Sequence, residues 1–212
     1  MGTPLYLHTV VDNGESLDVG NADLFSFTSG LVTQAGPDGI LFKPSTEQGF
    51  FSSVDADGCG LNSVTVKAIT TASWSNGSDA TAWHWQDLQD GFATALWAVM
   101  LHAGNSQNYP NYSYTAFPWG KTGRVACRDP KFLDWGHHIP AAIQITAYDN
   151  DNDGAQVGQV TVTYSTEDQS GGGDVCGTIN DLNGVLTVFP ATSELAAIFG
   201  AVTTIFCNAL GG

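Results

Sequence analysis

The strongest constraint on the fold lies between residues 143 and 164. Ile143-Gln144-Ile145-Thr146-Ala147-Tyr148 alternates apolar and polar side chains, and so does Val160-Thr161-Val162-Thr163-Tyr164. A period of two sends alternate side chains to opposite faces of a strand. Between the runs stands Asp149-Asn150-Asp151-Asn152-Asp153-Gly154, a string of turn-forming residues. The segment therefore reads as two paired antiparallel strands, each with one buried and one wetter face.

Other runs carry the same signature. Leu5–Val11 is β-rich and ends at Asp12-Asn13-Gly14. Leu24-Phe25-Ser26-Phe27 alternates ahead of Gly30, and Gly39-Ile40-Leu41-Phe42 follows a Pro-Asp-Gly turn. Val64–Ile69 and Tyr114–Phe117 add two more candidate strands. The expected fold is mainly β, an antiparallel β-sandwich or jelly-roll with one or two helices. One helix is expected near 80–102, capped by Asp79, with Gly91 as an interruption. Within it, Ala93–Leu101 reads equally well as helix or buried strand. A second helix, or a strand, is expected in 193–210. Ser170–Asp174 (SGGGD) reads as a linker, giving a β domain over 1–169 and a C-terminal segment over 170–212.

Charge removes whole classes of function. Only 13% of the 212 residues are charged, and they are unbalanced: six Lys and Arg against 21 Asp and Glu, a net charge of −15. A field of that sign repels nucleic acid and anionic membrane surfaces. With 42% hydrophobic residues the chain still carries enough apolar surface for a full core. The apolar stretch Glu194–Leu210 is short for a membrane span. Met1–Pro4 has no basic n-region before an apolar one, so no secretory signal is expected. The sequons at Asn76 and Asn111 then read as chance.

Cys59, Cys127, Cys176 and Cys207 are widely spaced and form no CxxC pair. Four buried thiols are the plain expectation. One or two disulfides, Cys176–Cys207 among them, are the alternative.

Five features carry candidate chemistry. Asp149, Asp151 and Asp153 stand at alternate positions before Gly154, as Ca²⁺ ligands do, but Val160 occupies the place of the closing acid. The competing reading is a solvated hairpin loop. Lys121, Arg124, Arg128 and Lys131 gather four of the six cations into one window. They would suit an acidic partner surface or anionic ligand, or pair with neighbours such as Asp129 and Asp134. Trp119 and Trp135 sit in turn-like contexts, where an indole face is available to stack on a sugar. Trp83, Trp85 and Trp97 read as core. His137 and His138 are adjacent, so on a strand they point to opposite faces and do not share one metal. Finally, Leu195, Ile198, Phe199, Ile205 and Phe206 are apolar positions suited to a subunit contact. No GxSxG, HExxH or P-loop motif is present, so no catalytic residues are assigned and an Asp-dependent hydrolase lacks a positive signal.

The stretch 137–168 resembles the final strand pair of jelly-roll coat proteins of small non-enveloped RNA viruses. The resemblance rests on Ile143–Thr146, the acidic loop, and Val157-Gly158-Gln159-Val160-Thr161-Val162-Thr163-Tyr164-Ser165-Thr166-Glu167. It spans about 30 residues, and Ser170–Asp174 would stand for the hinge into a projecting domain. The resemblance implies a virion structural protein, capsid subunit or surface projection, whose partners are copies of itself, other capsid proteins or a host receptor. One departure is plain: no Lys or Arg precedes Lys43, so the basic genome-binding arm of such proteins is missing. An acidic spike like those of astrovirus-like particles fits the composition as well as a shell does. The competing expectation is a glycan- or ligand-binding β-sandwich module, Ca²⁺-assisted through 149–153, at an extracellular or cell-surface location.

Overall fold

The structure is a computed structural model. It describes residues 5–11, 16–41, 45–54, 59–76, 83–106, 108–119, 124–150, 152–166 and 203–207, with the backbone alone for 101–106, 119, 124–125 and 203–207. The boundary at 170 and the Asp79 cap lie outside the described residues.

Among the described residues the fold is mainly β, with antiparallel sheets, two helices and no closed barrel. Its elements are β1 (Leu5–Val11), β2 (Ser16–Asp18), α1 (Leu24–Val32), β3 (Ser45–Ser52), β4 (Asn62–Trp74), α2 (Trp85–Ser106), β5 (Tyr109–Trp119), β6 (Arg124–Gly136), β7 (His138–Pro140), β8 (Ala142–Asp149), β9 (Ala155–Thr166) and β10 (Thr203–Cys207). Five strands form the main antiparallel sheet in the order β1-β8-β9-β4-β3, and β10 adds to β1 in parallel. β2 pairs with β7 and β5 with β6, each as a separate two-stranded unit.

The expected 143–164 pair is present as β8 and β9, with Ile145 opposite Val160 and Ile143 opposite Val162. Its alternation sorts the faces as the sequence implies. Ile143, Ile145, Ala147, Val160, Val162 and Tyr164 are buried. Thr161, Thr163, Gln144 and Tyr148 lie on the wetter side.

The buried face is covered by helices. Leu24, Phe27, Thr28, Leu31 and Val32 are buried along α1, the i, i+3, i+4, i+7, i+8 spacing of one helical face. Phe27 meets Phe50 of β3 edge-on and lies tilted against Tyr164 of β9. From α2, Phe92 packs on Trp74 of β4. Gly158 of β9 makes this approach possible, because a Cβ there would stand 2.9 Å from Trp74 Cβ and 3.1 Å from the Phe92 ring.

Two expected strands are corrected. Leu24–Phe27 begins a helix, because the Asp23 carboxylate accepts the Ser26 amide (3.2 Å) and hydroxyl (2.8 Å) as an N-cap. A four-residue alternation also fits a helical stripe, and the cap decides between them. Within 39–42, Leu41 forms only an isolated bridge to Ala35, and Phe42 is not described. The open question in 93–101 resolves as helix: α2 runs unbroken through Gly91, with Leu88, Phe92, Ala95, Leu96 and Val99 buried. The expectation of buried thiols fails for two of the four cysteines, since Cys59 and Cys127 form a disulfide. The side chains of Cys176 and Cys207 lie outside the described residues.

Candidate interaction surface

The β5–β6 ribbon pairs with no strand of the main sheet among the described residues, and much of it is exposed. Its base is held by a part-buried polar network centred on the buried Asn111. The Asn111 amide donates to Asp134 Oδ1 at 2.8 Å and to the Phe51 carbonyl at 3.2 Å, and its oxygen accepts the Ser53 amide at 2.9 Å. Asn21 mirrors it: Nδ2 donates to Asp134 Oδ2 at 2.8 Å, and Oδ1 accepts the Phe51 amide at 2.9 Å. Two side-chain amides thus occupy the outer edge of β3 at Phe51, where a further strand would otherwise bond. Asp134 is the carboxylate both amides share.

A second cluster lies one step deeper. The Tyr109 hydroxyl and the Ser52 hydroxyl both donate to the Asp18 carboxylate, which also accepts the Gly20 amide at 2.9 Å. Ser52 Oγ and Tyr109 Oη are 2.8 Å apart. Burial and the Asp18 carboxylate push the Tyr109 phenol well above its ordinary range, so it stays a donor. Tyr109 also meets the His138 ring edge-on. These bonds join one chain segment to another or close a turn. Ser52 and Asp18 are buried, and their bonds to Tyr109 tie the start of the ribbon to β2 and β3.

Beyond Asn111 the ribbon becomes exposed. Residues 114–118 of β5 and 127–133 of β6 all face solvent. Register shifts at Asn111/Tyr112 and Ser113/Thr115 mark bulges, and Asp129 has φ 55°. Bulges twist a ribbon and re-aim its side chains. Here they bring Tyr114, Tyr112, Phe132 and Trp135 into one run of ring contacts, with successive centroids 6.3, 6.1 and 5.5 Å apart. Phe132 is 47% exposed and Trp135 48%. The Cys59–Cys127 disulfide ties the middle of the ribbon to the β3–β4 connection, and the Tyr114 amide donates to the Cys59 carbonyl at 3.2 Å.

The residues singled out from sequence divide clearly. Trp135, Arg128 and Lys131 all lie exposed on β6. Arg124 and Trp119 sit on the ribbon by their backbones, opposite each other in register, and Lys121 lies outside the described residues. Asp149 is buried and its Oδ2 accepts the Trp83 indole N–H at 3.2 Å. Asp153 occupies the turn with φ 51°, and Asp151 is not described. Among the described residues no three His, Cys, Asp or Glu side chains gather as metal ligands. Ile205 and Phe206 belong to β10, where their backbones pair with Thr9 and Val10 of the same chain. Leu195, Ile198 and Phe199 lie outside the described residues.

Sequence reasoning missed Tyr114 and Phe132 as surface residues, and missed β6 as a strand. A signal was there: 124–136 combines aromatics and cations with no sustained apolar alternation, which suits a ribbon wet on both faces. Comparison with protein families, with curated proteins and with solved structures finds no match to this chain.

Proposed function

We propose that this chain is a non-catalytic structural protein that acts by self-association, with the β5–β6 ribbon as its contact arm. The observation that carries the reading is the run of ring contacts Tyr114–Tyr112–Phe132–Trp135 on the separate β5–β6 ribbon, in which Tyr114, Phe132 and Trp135 are exposed and Tyr112 is half-buried. A contiguous apolar patch of this kind is costly to leave in water and is typical of contact sites. Aromatic residues also dominate the energetics of such contacts. The virion role suggested by the coat-protein resemblance is the setting we adopt. Because the layer on the main sheet is helical, we favour the surface-projection form of that role over the jelly-roll shell.

The test is the assembly state of the purified chain, by light scattering on a sizing column with negative-stain electron microscopy. A defined oligomer or particle is expected, and Phe132→Ser with Trp135→Ser should dissociate it. A monomer at every concentration overturns the reading.

Trp135 favours a second reading. Its half-exposed indole beside Phe132 suits stacking on a sugar ring, which would make the ribbon a glycan-binding arm. Glycan-array binding that is lost in Trp135→Ala, by a chain that stays monomeric, would select it. Loss of that binding on adding chelator would add the Ca²⁺ requirement.

A further inference from the structure

We infer that the Cys59–Cys127 bridge is a redox latch on the contact arm: a thiol reductant opens it in the folded chain and so weakens self-association. The inference rests on the self-association reading above. The bridge lies where a reductant can reach it. Cys127 is exposed and Cys59 is half-buried, and exposed disulfides are the labile ones. Its surroundings suit the attack as well. The attacking group is a thiolate, and a chain with net charge −15 repels anions in general. β6 departs from that balance, with Arg124, Arg128 and Lys131 against Asp129 and Asp134. Arg128 follows Cys127 directly and is exposed. A cation beside a cysteine draws in the attacking thiolate and stabilises the thiolate that each step releases.

The exchange balances. A thiolate of the reductant, a dithiol or a glutathione-type thiol, attacks Cys127 Sγ, the sulfur of the more exposed residue. The S–S bond breaks and Cys59 Sγ leaves as a thiolate. A second reductant thiol attacks the mixed disulfide and frees Cys127. The bridge has then gained two electrons and two protons, and the reductant has become a disulfide.

The consequence falls on the aromatic surface. Cys127 stands opposite Ala116 in the ribbon, and the Tyr114 amide donates to the Cys59 carbonyl at 3.2 Å. Tyr114 begins the run of ring contacts that passes through Tyr112 and Phe132 to Trp135. Opening the bridge removes the covalent tie beyond Asn111, while the Asn111–Asp134 network and the Asp18–Ser52–Tyr109 cluster still hold the base. Neither cysteine belongs to a strand of the main sheet, so that sheet stays folded. The loosened rings must then be ordered on contact, and that cost is subtracted from affinity. A contact made in an oxidising compartment is released on entry to a reducing one.

Millimolar reduced glutathione, added to the native wild-type chain and followed by alkylation, tests this. Peptide mass spectrometry reads Cys59 and Cys127 apart from Cys176 and Cys207, and light scattering reads association. Cys59 and Cys127 should be labelled while hydrogen exchange in β8 and β9 stays unchanged. Association should weaken at least about tenfold and return on reoxidation. The double variant Cys59→Ser, Cys127→Ser should associate as weakly as the reduced wild type and ignore the reductant. A bridge that resists until urea unfolds the main sheet overturns the inference, and so does a bridge that opens with association unchanged. Both outcomes leave the self-association reading in place. Reductant that weakens the serine variant as it weakens wild type also overturns it, because another cysteine is then responsible. A wild-type chain that never assembles overturns the self-association reading and this inference with it.

Discussion

Tyr109 lies flat over Gly136, its partner in the β5–β6 register. A Cβ on Gly136 would come within 2.1 Å of Tyr109 Cζ and 2.3 Å of Cε2. The ring has no room to withdraw, because its hydroxyl is held by Asp18 and Ser52. Gly136→Ala must therefore break the Asp18–Ser52–Tyr109 cluster or push the ribbon off its base. A loss of about 1–3 kcal/mol is expected, as for other overpacked sites, read as a shift of the urea midpoint at unchanged m. A midpoint equal to that of wild type would show that the anchor is loose.

Asn111→Ala removes the partner of two backbone groups and one carboxylate oxygen: the Ser53 amide, the Phe51 carbonyl and Asp134 Oδ1. Asn111 is fully buried, so these groups lose their partner where water is scarce. The expected cost is about 2–3 kcal/mol. Hydrogen exchange should quicken in β5 and β6 well before it does in β8 and β9, since the network fastens the ribbon and not the main sheet.

The Cys59–Cys127 disulfide spans 68 residues of sequence. An isolated two-stranded ribbon is marginal in water, and this cross-link joins the Asn111–Asp134 network and the Asp18–Ser52–Tyr109 cluster in tying it to the rest of the fold. The double variant Cys59→Ser, Cys127→Ser should lose about 2–4 kcal/mol. Its ribbon should also become a site of limited proteolysis, with cleavage inside 112–133 and the main sheet intact. Equal protease resistance with and without the bridge would contradict this.

Asp90 supplies a pH signature. Partial burial, and then the nearby Asp87 charge, hold its carboxyl above the ordinary value of 3.8. The folded chain thus binds the Asp90 proton more tightly than the unfolded chain does. Stability conferred by that proton is present below 3.8 and is lost as the pH rises through the higher folded value. Asp90→Asn should therefore stabilise the chain at neutral pH, by less than about 0.5 kcal/mol because Asp90 is largely exposed and screened. The gain should vanish at acid pH. Denaturation midpoints of the two chains at pH 3 and pH 7 check the sign.

Where side-chain period alone sets the structure, the sequence was readable. Leu5–Val11 and the pair within 143–164 alternate because one face of each strand meets the core and the other does not, a one-dimensional pattern with a one-dimensional cause. The start of α1 was not readable that way. Leu24–Phe27 fits both periods, and only the Asp23 carboxylate on the Ser26 amide, beside the packing of Phe27 on Phe50 and Tyr164, makes it helical.

The candidate surface divides along the same line. The sequence by itself determined that cations and aromatics crowd together in 119–135 of a strongly acidic chain, since composition and spacing need no folding to be seen. Tertiary structure decided what that crowding means. Asp18, Ser52 and Tyr109 come together over 34 and 91 residues of sequence, and Asn21 reaches Asp134 over 113. Those contacts, with the disulfide, hold the ribbon by its base and middle and leave Phe132 and Trp135 in solvent. Burial is a property of the assembled chain, so whether an aromatic residue becomes core or contact surface is settled only by what the rest of the fold places against it.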